Sequence, residues 1–304
     1  MKKKEKTKYF DKNIYRKSEL VKNSLQTFKN SNIPMPSVIE ISDSGTCNRA
    51  CVFCPRSDPA WIKEFDNKQF ITTELHEKIC EELSQHNYSG LIVYSGFNEP
   101  LLNKACYENI SRTRKYLPNA KIELITNGDV LSKSRLLKLF KAGLTTILIS
   151  VYDGKEDEDS FYKLCEDAGL LKEQYVIRNR HLPPEEDFGI TISNRAGLMK
   201  NAEYSIDSLV QSLKEPCYYP SYNFFIDYNG DVLMCSHDWG KKNILGNLNK
   251  KSILDIWTSE NANKSRNNLA NSDRNFNPCS VCDVKGNLIG SAHAEAWKNI
   301  EKKV

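Results

Sequence analysis

Val38-Ile-Glu-Ile-Ser42, followed at once by Asp43-Ser-Gly-Thr-Cys47-Asn-Arg-Ala-Cys51-Val-Phe-Cys54, is the stretch that decides the fold. The first five residues are a short β-branched run that reads as a buried strand. The next twelve place three thiols within eight residues on the loop leaving it. Four further runs look like the first: Leu91 to Tyr94, Ile122 to Ile125, Thr146 to Val151 and Tyr175 to Ile177. A sixth candidate lies around Ile190 to Ser193.

Helical patterns separate these runs, for example Leu75, Ile79 and Leu83, or Leu136, Leu137 and Phe140 closing at Gly143, a C-cap glycine. Alternating strands and helices argue for parallel strands joined by crossovers. The spacing fits about six units, fewer than the eight of a closed barrel. The expected fold is therefore α/β, a partial (β/α)6 TIM-like barrel over residues 36–204. Residues 1–35 are a basic, helical extension carrying Lys2, Lys3, Lys4, Lys6 and Lys8 and ending at Pro34 and Pro36.

After residue 205 the rhythm changes. A helical stretch precedes Phe224 to Tyr228, Asn229-Gly230 and Val232 to Met234, which read as a hairpin. Ser252 and Asp255 form a capping box ahead of Ile256 and Trp257. Asn263 to Asn277 reads as an asparagine-rich loop. Residues 205–304 are thus expected to form a small second domain of hairpin plus helix.

The chain has 304 residues, 39% of them apolar, enough for a large core. No apolar run reaches the roughly 18 residues a membrane helix needs, and the polar start has no export-signal character, so a cytoplasmic protein is expected. A net charge of +4 gives no case for nucleic acid as a partner. Ten cysteines in such a chain should be reduced thiols, and their clustering points to metal or redox chemistry. Cys80, Cys106 and Cys165 lie singly in helical patterns as small buried residues, with hydrogen-atom donation as the alternative role.

Cys47, Cys51 and Cys54 supply three thiolates, one fewer than the irons of a cubane. An iron left without a protein ligand can coordinate a cofactor. This C-x3-C-x2-C spacing, with aromatic Phe53 before the third cysteine, resembles the signature of the radical S-adenosylmethionine (SAM) superfamily. The resemblance implies a catalytic [4Fe-4S] cluster on these three cysteines that cleaves SAM to methionine and a 5'-deoxyadenosyl radical, with Phe53 near the adenine. Ser95-Gly96-Phe97-Asn98-Glu99-Pro100 resembles the family's Gly-Gly-Glu-Pro segment, which makes Glu99 the acceptor for the cofactor's ammonium group; Asn98 stands where a glycine is usual. The same resemblance places Asn127 and Ser150, at the ends of the third and fourth strands, against the cofactor. Arg178, ending the fifth, pairs with a carboxylate of cofactor or substrate, or is a surface cation.

Cys217, Cys235, Cys279 and Cys282 form a second group, C-x17-C-x43-C-x2-C. Four thiolates make a closed site, suited to a second [4Fe-4S] cluster or to structural zinc. With Leu245-Gly246-Asn247-Leu248 and the helix after it, this group resembles the twitch domain, a shortened SPASM domain carrying one auxiliary cluster. The resemblance points to an oxidoreductase acting on a polyhydroxylated small molecule such as a sugar, nucleotide sugar or cyclitol. The auxiliary cluster would accept an electron, and a flavodoxin- or ferredoxin-type donor would supply the first. Peptide modification by crosslinking, epimerisation or side-chain oxidation is the alternative. Arg195 and His237 are candidate substrate contacts, His237 otherwise being a structural hydrogen-bond partner.

Overall fold

The computed structural model describes residues 12–180, 193–199 and 207–301. The lysine-rich start and residues 190–192 of the sixth candidate strand lie outside the described residues, and Ser193 belongs to no strand. In chain order the strands are β1 Val38–Ser42, β2 Leu91–Tyr94, β3 Lys121–Thr126, β4 Thr146–Val151, β5 Tyr175–Asn179, β6 Asn223–Asp227, β7 Asp231–Leu233 and β8 Ile244–Asn247. The helices are α1 Lys12–Asn23, α2 Pro59–Phe65, α3 Thr73–Gln85, α4 Cys106–Tyr116, α5 Lys133–Lys141, α6 Lys155–Asp167, α7 Tyr219–Tyr222, α8 Ile253–Trp257, α9 Glu260–Ala270 and α10 Ser291–Glu301.

All eight strands form one open sheet in the order β5-β4-β3-β2-β1-β6-β7-β8. β1 to β5 are parallel neighbours, as the alternation required. The apolar runs of β1 to β4 are buried on both faces, which is why they read as continuous rather than alternating, while β5 at the sheet edge is only half-buried. One face, with Ile39, Ile92, Leu124 and Ile149, packs under α3, α4 and α5 in the main core. The opposite face, with Val38, Leu91, Val93 and Ile125, is covered by Val21 of α1 and Tyr222. Arg16 of α1 reaches through to pair with Glu123, whose side chain is wholly buried. The N-terminal extension thus plugs the inside of the half-barrel.

The hairpin at Asn229-Gly230 is present, with Gly230 at φ 88°. Its first arm is more than a hairpin strand, because β6 also runs parallel to β1 from Val38↔Asn223 to Ser42↔Asp227 and extends the main sheet. Phe224 and Ile226 join the main core while Phe225 packs with Trp61, Phe97 and Trp239 on the other face. Burial on both sides explains why this arm takes a central position.

Two local expectations are corrected. No helix occupies residues 207–218, and the first helix there is the four-residue α7. The asparagine-rich stretch is helical up to Ala270: Ser259 caps α9 by accepting from Ala262 N, and Ala262, Ser265, Arg266 and Leu269 bury one face. Packing of that face overrides the weak helix propensity of asparagine. The Ser252 and Asp255 capping box of α8 forms as read. It aims Trp257 into the core, where Nε1 donates to Pro34 O at 2.8 Å.

Candidate functional site

The loop after β1 is held from beneath by Arg56, only 4% exposed. Its Nε donates to Phe97 O at 2.9 Å, Nη2 to Gly45 O at 2.8 Å and Nη1 to Asp66 at 2.5 Å. From the outer side Arg49 forms ion pairs with Asp129 and Asp153, both at 2.5 Å, and lies over the Tyr152 ring. Phe53 stacks on the same ring at 5.4 Å. The loop that carries three thiols is therefore clamped to the loops after β2, β3 and β4.

The thiols of Cys47, Cys51 and Cys54 all titrate above the usual thiol range because of burial. Cys51 is pushed up to about 12 by burial and by repulsion from Cys54 and Cys47. Such groups are poor thiolates alone and become thiolates when a cation coordinates them. A backbone donor is already in place, Arg49 N facing Cys47 Sγ at 3.5 Å.

Glu99, 2% exposed, is no solvated loop carboxylate. It accepts from Thr126 Oγ1 and Asn127 N, both at 2.7 Å, and from Leu101 N at 3.1 Å. Burial raises its pKa and these three donors oppose the rise. Asn98, the departure from the usual glycine, ties its loop to the β1 loop by donating to Asp43 at 2.5 Å. Its Oδ1 is buried without a protein donor. Asn127 Nδ2 donates to Asn48 Oδ1 at 2.8 Å and faces Cys47 Sγ. Ser150 is buried at the end of β4 beside Tyr152.

In the second group Cys235 and Cys282 also receive amides two residues on, from His237 N at 3.3 Å and Val284 N at 3.5 Å. Arg274, 1% exposed, braces this region by donating to the carbonyls of Glu215, Pro216 and Val284. Burial and mutual repulsion raise the Cys235 and Cys279 thiols. Gly286 lies so close to Cys217 that a Cβ there would stand 2.1 Å from the sulfur. Among the described residues no three His, Cys, Asp or Glu side chains converge to hold a single ion. Soft donors, amide hydrogen bonds to sulfur and a side-chain-free cradle fit an iron-sulfur cluster in each group. Gly286→Ala is expected to lower iron per chain by up to half while leaving the first site loaded, which metal analysis would read directly.

One cavity of about 520 Å³ is lined by the first three cysteines together with Phe53, Glu99, Asn127, Ser150, Arg178, Arg195 and His237. The four C-terminal thiols do not line it; Tyr219, Ser236 and His237 stand in its wall on their side. His237 bridges Tyr219 Oη at 3.3 Å and Ser193 Oγ at 3.4 Å, and burial with nearby Arg195 lowers its pKa to about 3, so it is neutral. Cys80, Cys106 and Cys165 are buried elsewhere and are absent from the lining. Sequence reasoning missed Tyr152, Arg180, Tyr219 and Lys17 of α1, which also line the cavity. Of these only Tyr152 carried a signal, two residues after Ser150 at a strand end.

The chain matches the model of the Radical SAM superfamily over residues 41–176 and the SPASM iron-sulfur cluster-binding domain over residues 217–283. With the cavity between two cysteine sites, these matches make it a radical SAM enzyme of the oxidoreductase class, with SAM and an iron-sulfur cluster in each domain. It is similar to the S-adenosyl-L-methionine-dependent 2-deoxy-scyllo-inosamine dehydrogenase of Niallia circulans, 27% identical over 239 residues that cover 78% of this chain and 88% of that protein. Its structure resembles BtrN in complex with AdoMet and 2-DOIA, with TM-score 0.70 and 25% identity over 83% of this chain and 95% of that one. The fold also matches anSMEcpe with bound AdoMet, at TM-score 0.52 and 14% identity over 87% of this chain and 96% of that one. No helix among the described residues is long and apolar enough to cross a membrane.

Proposed function

We propose that the chain oxidises a secondary hydroxyl of a small polyhydroxylated molecule, a sugar, nucleotide sugar or cyclitol, to a ketone in the cytoplasm. The observation that carries this reading is the separation of the two cysteine sites. One set lines the cavity; the four thiols of the other do not, while their chain neighbours Tyr219, Ser236, His237 and Asp283 do. With a cluster held by Cys47, Cys51 and Cys54, bound SAM would supply hydrogen-atom abstraction from the carbinol carbon, and a cluster held by Cys217, Cys235, Cys279 and Cys282 would supply an acceptor for the electron left once the hydroxyl proton is lost.

This chain's residues set the positions. Glu99, with three protein donors already seated, keeps acceptor capacity for the cofactor's ammonium group, and the buried Asn98 Oδ1 beside it is a second acceptor. Phe53, backed by Tyr152, offers a flat face to the adenine. Asn127 and Ser150 hold the ribose and methionine ends, and Arg178 the carboxylate. His237 spends both ring nitrogens on Tyr219 Oη and Ser193 Oγ and so positions these two cavity-lining hydroxyls for the reacting hydroxyl. Cys80, Cys106 and Cys165 are out of reach as hydrogen-atom donors, which favours oxidation over epimerisation. The initiating electron comes from a flavodoxin- or ferredoxin-type donor.

The test is turnover of a polyol labelled with deuterium at the carbinol carbon. Deuterium in 5'-deoxyadenosine, with a product two hydrogens lighter, supports the reading; 5'-deoxyadenosine formed with the substrate returned as an epimer contradicts it. Glu99→Gln is expected to weaken SAM binding by about ten- to a hundredfold, the range of a lost charge-assisted hydrogen bond, measurable by equilibrium dialysis.

A further inference from the structure

The charge of the cavity says something about the substrate that the relatives do not. Three carboxylates line it, Glu40, Glu99 and Asp283, and each already serves protein donors. Glu40 accepts from Ser95 Oγ at 2.7 Å and Asn223 Nδ2 at 3.3 Å. Asp283 accepts from Asn194 N at 2.9 Å. Glu99 is committed to its three donors and, on the reading above, to the cofactor's ammonium group. Glu40 with two donors and Asp283 with one keep free lone pairs, so the carboxylates by themselves do not decide the charge of the substrate.

The cations are unevenly used. Arg49 and Arg56 are consumed by Asp129, Asp153 and Asp66 and by backbone carbonyls. Arg195 has no such partner among the described residues, and its Nε is shut off from solvent without an acceptor. It lines the cavity together with Cys54, Tyr152, Arg178 and Tyr219. A half-buried guanidinium whose Nε is shielded from water and unsatisfied is costly unless an acceptor sits against it.

The backbone that presents Arg195 is strained in the same place. Arg195 and Ala196 are consecutive non-glycine residues at φ 48° and 53°. Asn194 holds them there, donating through Nδ2 to Val281 O at 2.7 Å and to Asp207 O at 3.2 Å, while Gly197 N donates back to its Oδ1. Residue 195 is thereby pinned to the loop of Cys279 and Cys282. Two strained residues that present a guanidinium with no carboxylate partner among the described residues, beside the loop of Cys279 and Cys282, indicate a ligand-binding device.

We infer that the hydroxylated substrate carries an oxyanion, a phosphate or a carboxylate, bound by Arg195 at the wall between the two cysteine sites. The inference rests on the reading that this cavity takes a small hydroxylated molecule. It sets this substrate apart from the amine-bearing cyclitol named for the Niallia circulans enzyme.

The test is binding without turnover, so that its result is independent of the oxidation chemistry. The full-length, anaerobically reconstituted protein is saturated with SAM, given no reductant, and titrated calorimetrically with four probes: myo-inositol 1-phosphate, glucuronate, myo-inositol and 2-deoxy-scyllo-inosamine. At least one of the two anionic probes is expected to bind about tenfold or more tightly than the neutral and amine-bearing probes, and which one does separates phosphate from carboxylate. Arg195→Gln should erase the preference and Arg195→Lys should keep part of it. If Arg195→Gln fails to load iron, the wild-type ranking and the Lys variant still decide. Equal or tighter binding of the amine or neutral probe overturns the inference, as does no binding of either anion at millimolar concentration. A preference that survives Arg195→Gln, or a Gln variant that loses SAM affinity and leaves the probes unaffected, also overturns it.

Discussion

Replacing Cys47, Cys51 and Cys54 together by alanine is expected to abolish formation of 5'-deoxyadenosine from SAM, with a loss limited only by the detection floor of the assay. Without the thiols there is no place for the cofactor to be chelated and reduced, and no other group of donors among the described residues lines the cavity in their stead. The fold should survive. The three cysteines lie on a loop held by Arg56 and Arg49, and the main core beneath is built from β1 to β6 and their helices. A far-ultraviolet circular dichroism spectrum close to that of wild type, with no detectable 5'-deoxyadenosine, is the expected pair of results. Continued cleavage in the triple variant would remove the basis of the assignment.

Cys279→Ala should separate cleavage from oxidation. The expected outcome is at least a hundredfold loss of ketone product, while 5'-deoxyadenosine still forms at a rate within about tenfold of wild type. The reason is positional: Cys279 and its three companions do not line the cavity, so their loss leaves the cofactor's own contacts in place. A substrate radical that cannot shed its electron would then return to starting material or divert to side products. Liquid chromatography with mass detection of both nucleoside and ketone checks this. Full ketone yield in Cys279→Ala would mean that the second site plays no part in the redox step.

The parallel core was legible because β1 to β4 are buried on both faces and so appear as unbroken apolar runs, and the helices between them carry apolar periodicity at Leu75, Ile79 and Leu83 and at Leu136 and Phe140 before Gly143. The first cysteine group was legible as a group because Cys47, Cys51 and Cys54 sit on one loop, and the structure brings all three to one cavity. What the sequence hid was long-range. Nothing local says that β6, already half of a hairpin, also lies parallel to β1, since strand pairing across 180 residues leaves no periodic trace. Nothing in the charged opening shows that α1 plugs the half-barrel; that follows from Arg16 meeting Glu123 and Val21 meeting Val93. The asparagine-rich α9 was read as loop because propensity was weighed without its buried face. Asn98 illustrates the same limit at the site: the residue was visible, but its bond to Asp43 depends on two loops meeting.

The central claim is that one chain carries two iron-sulfur clusters on either side of one substrate cavity. Iron and acid-labile sulfide per chain after anaerobic reconstitution test it most directly, in wild type and in the Cys47, Cys51 and Cys54 triple alanine variant. The account predicts about eight irons falling to about four, with sulfide following. About four irons falling to none, with zinc retained in both proteins, would contradict it.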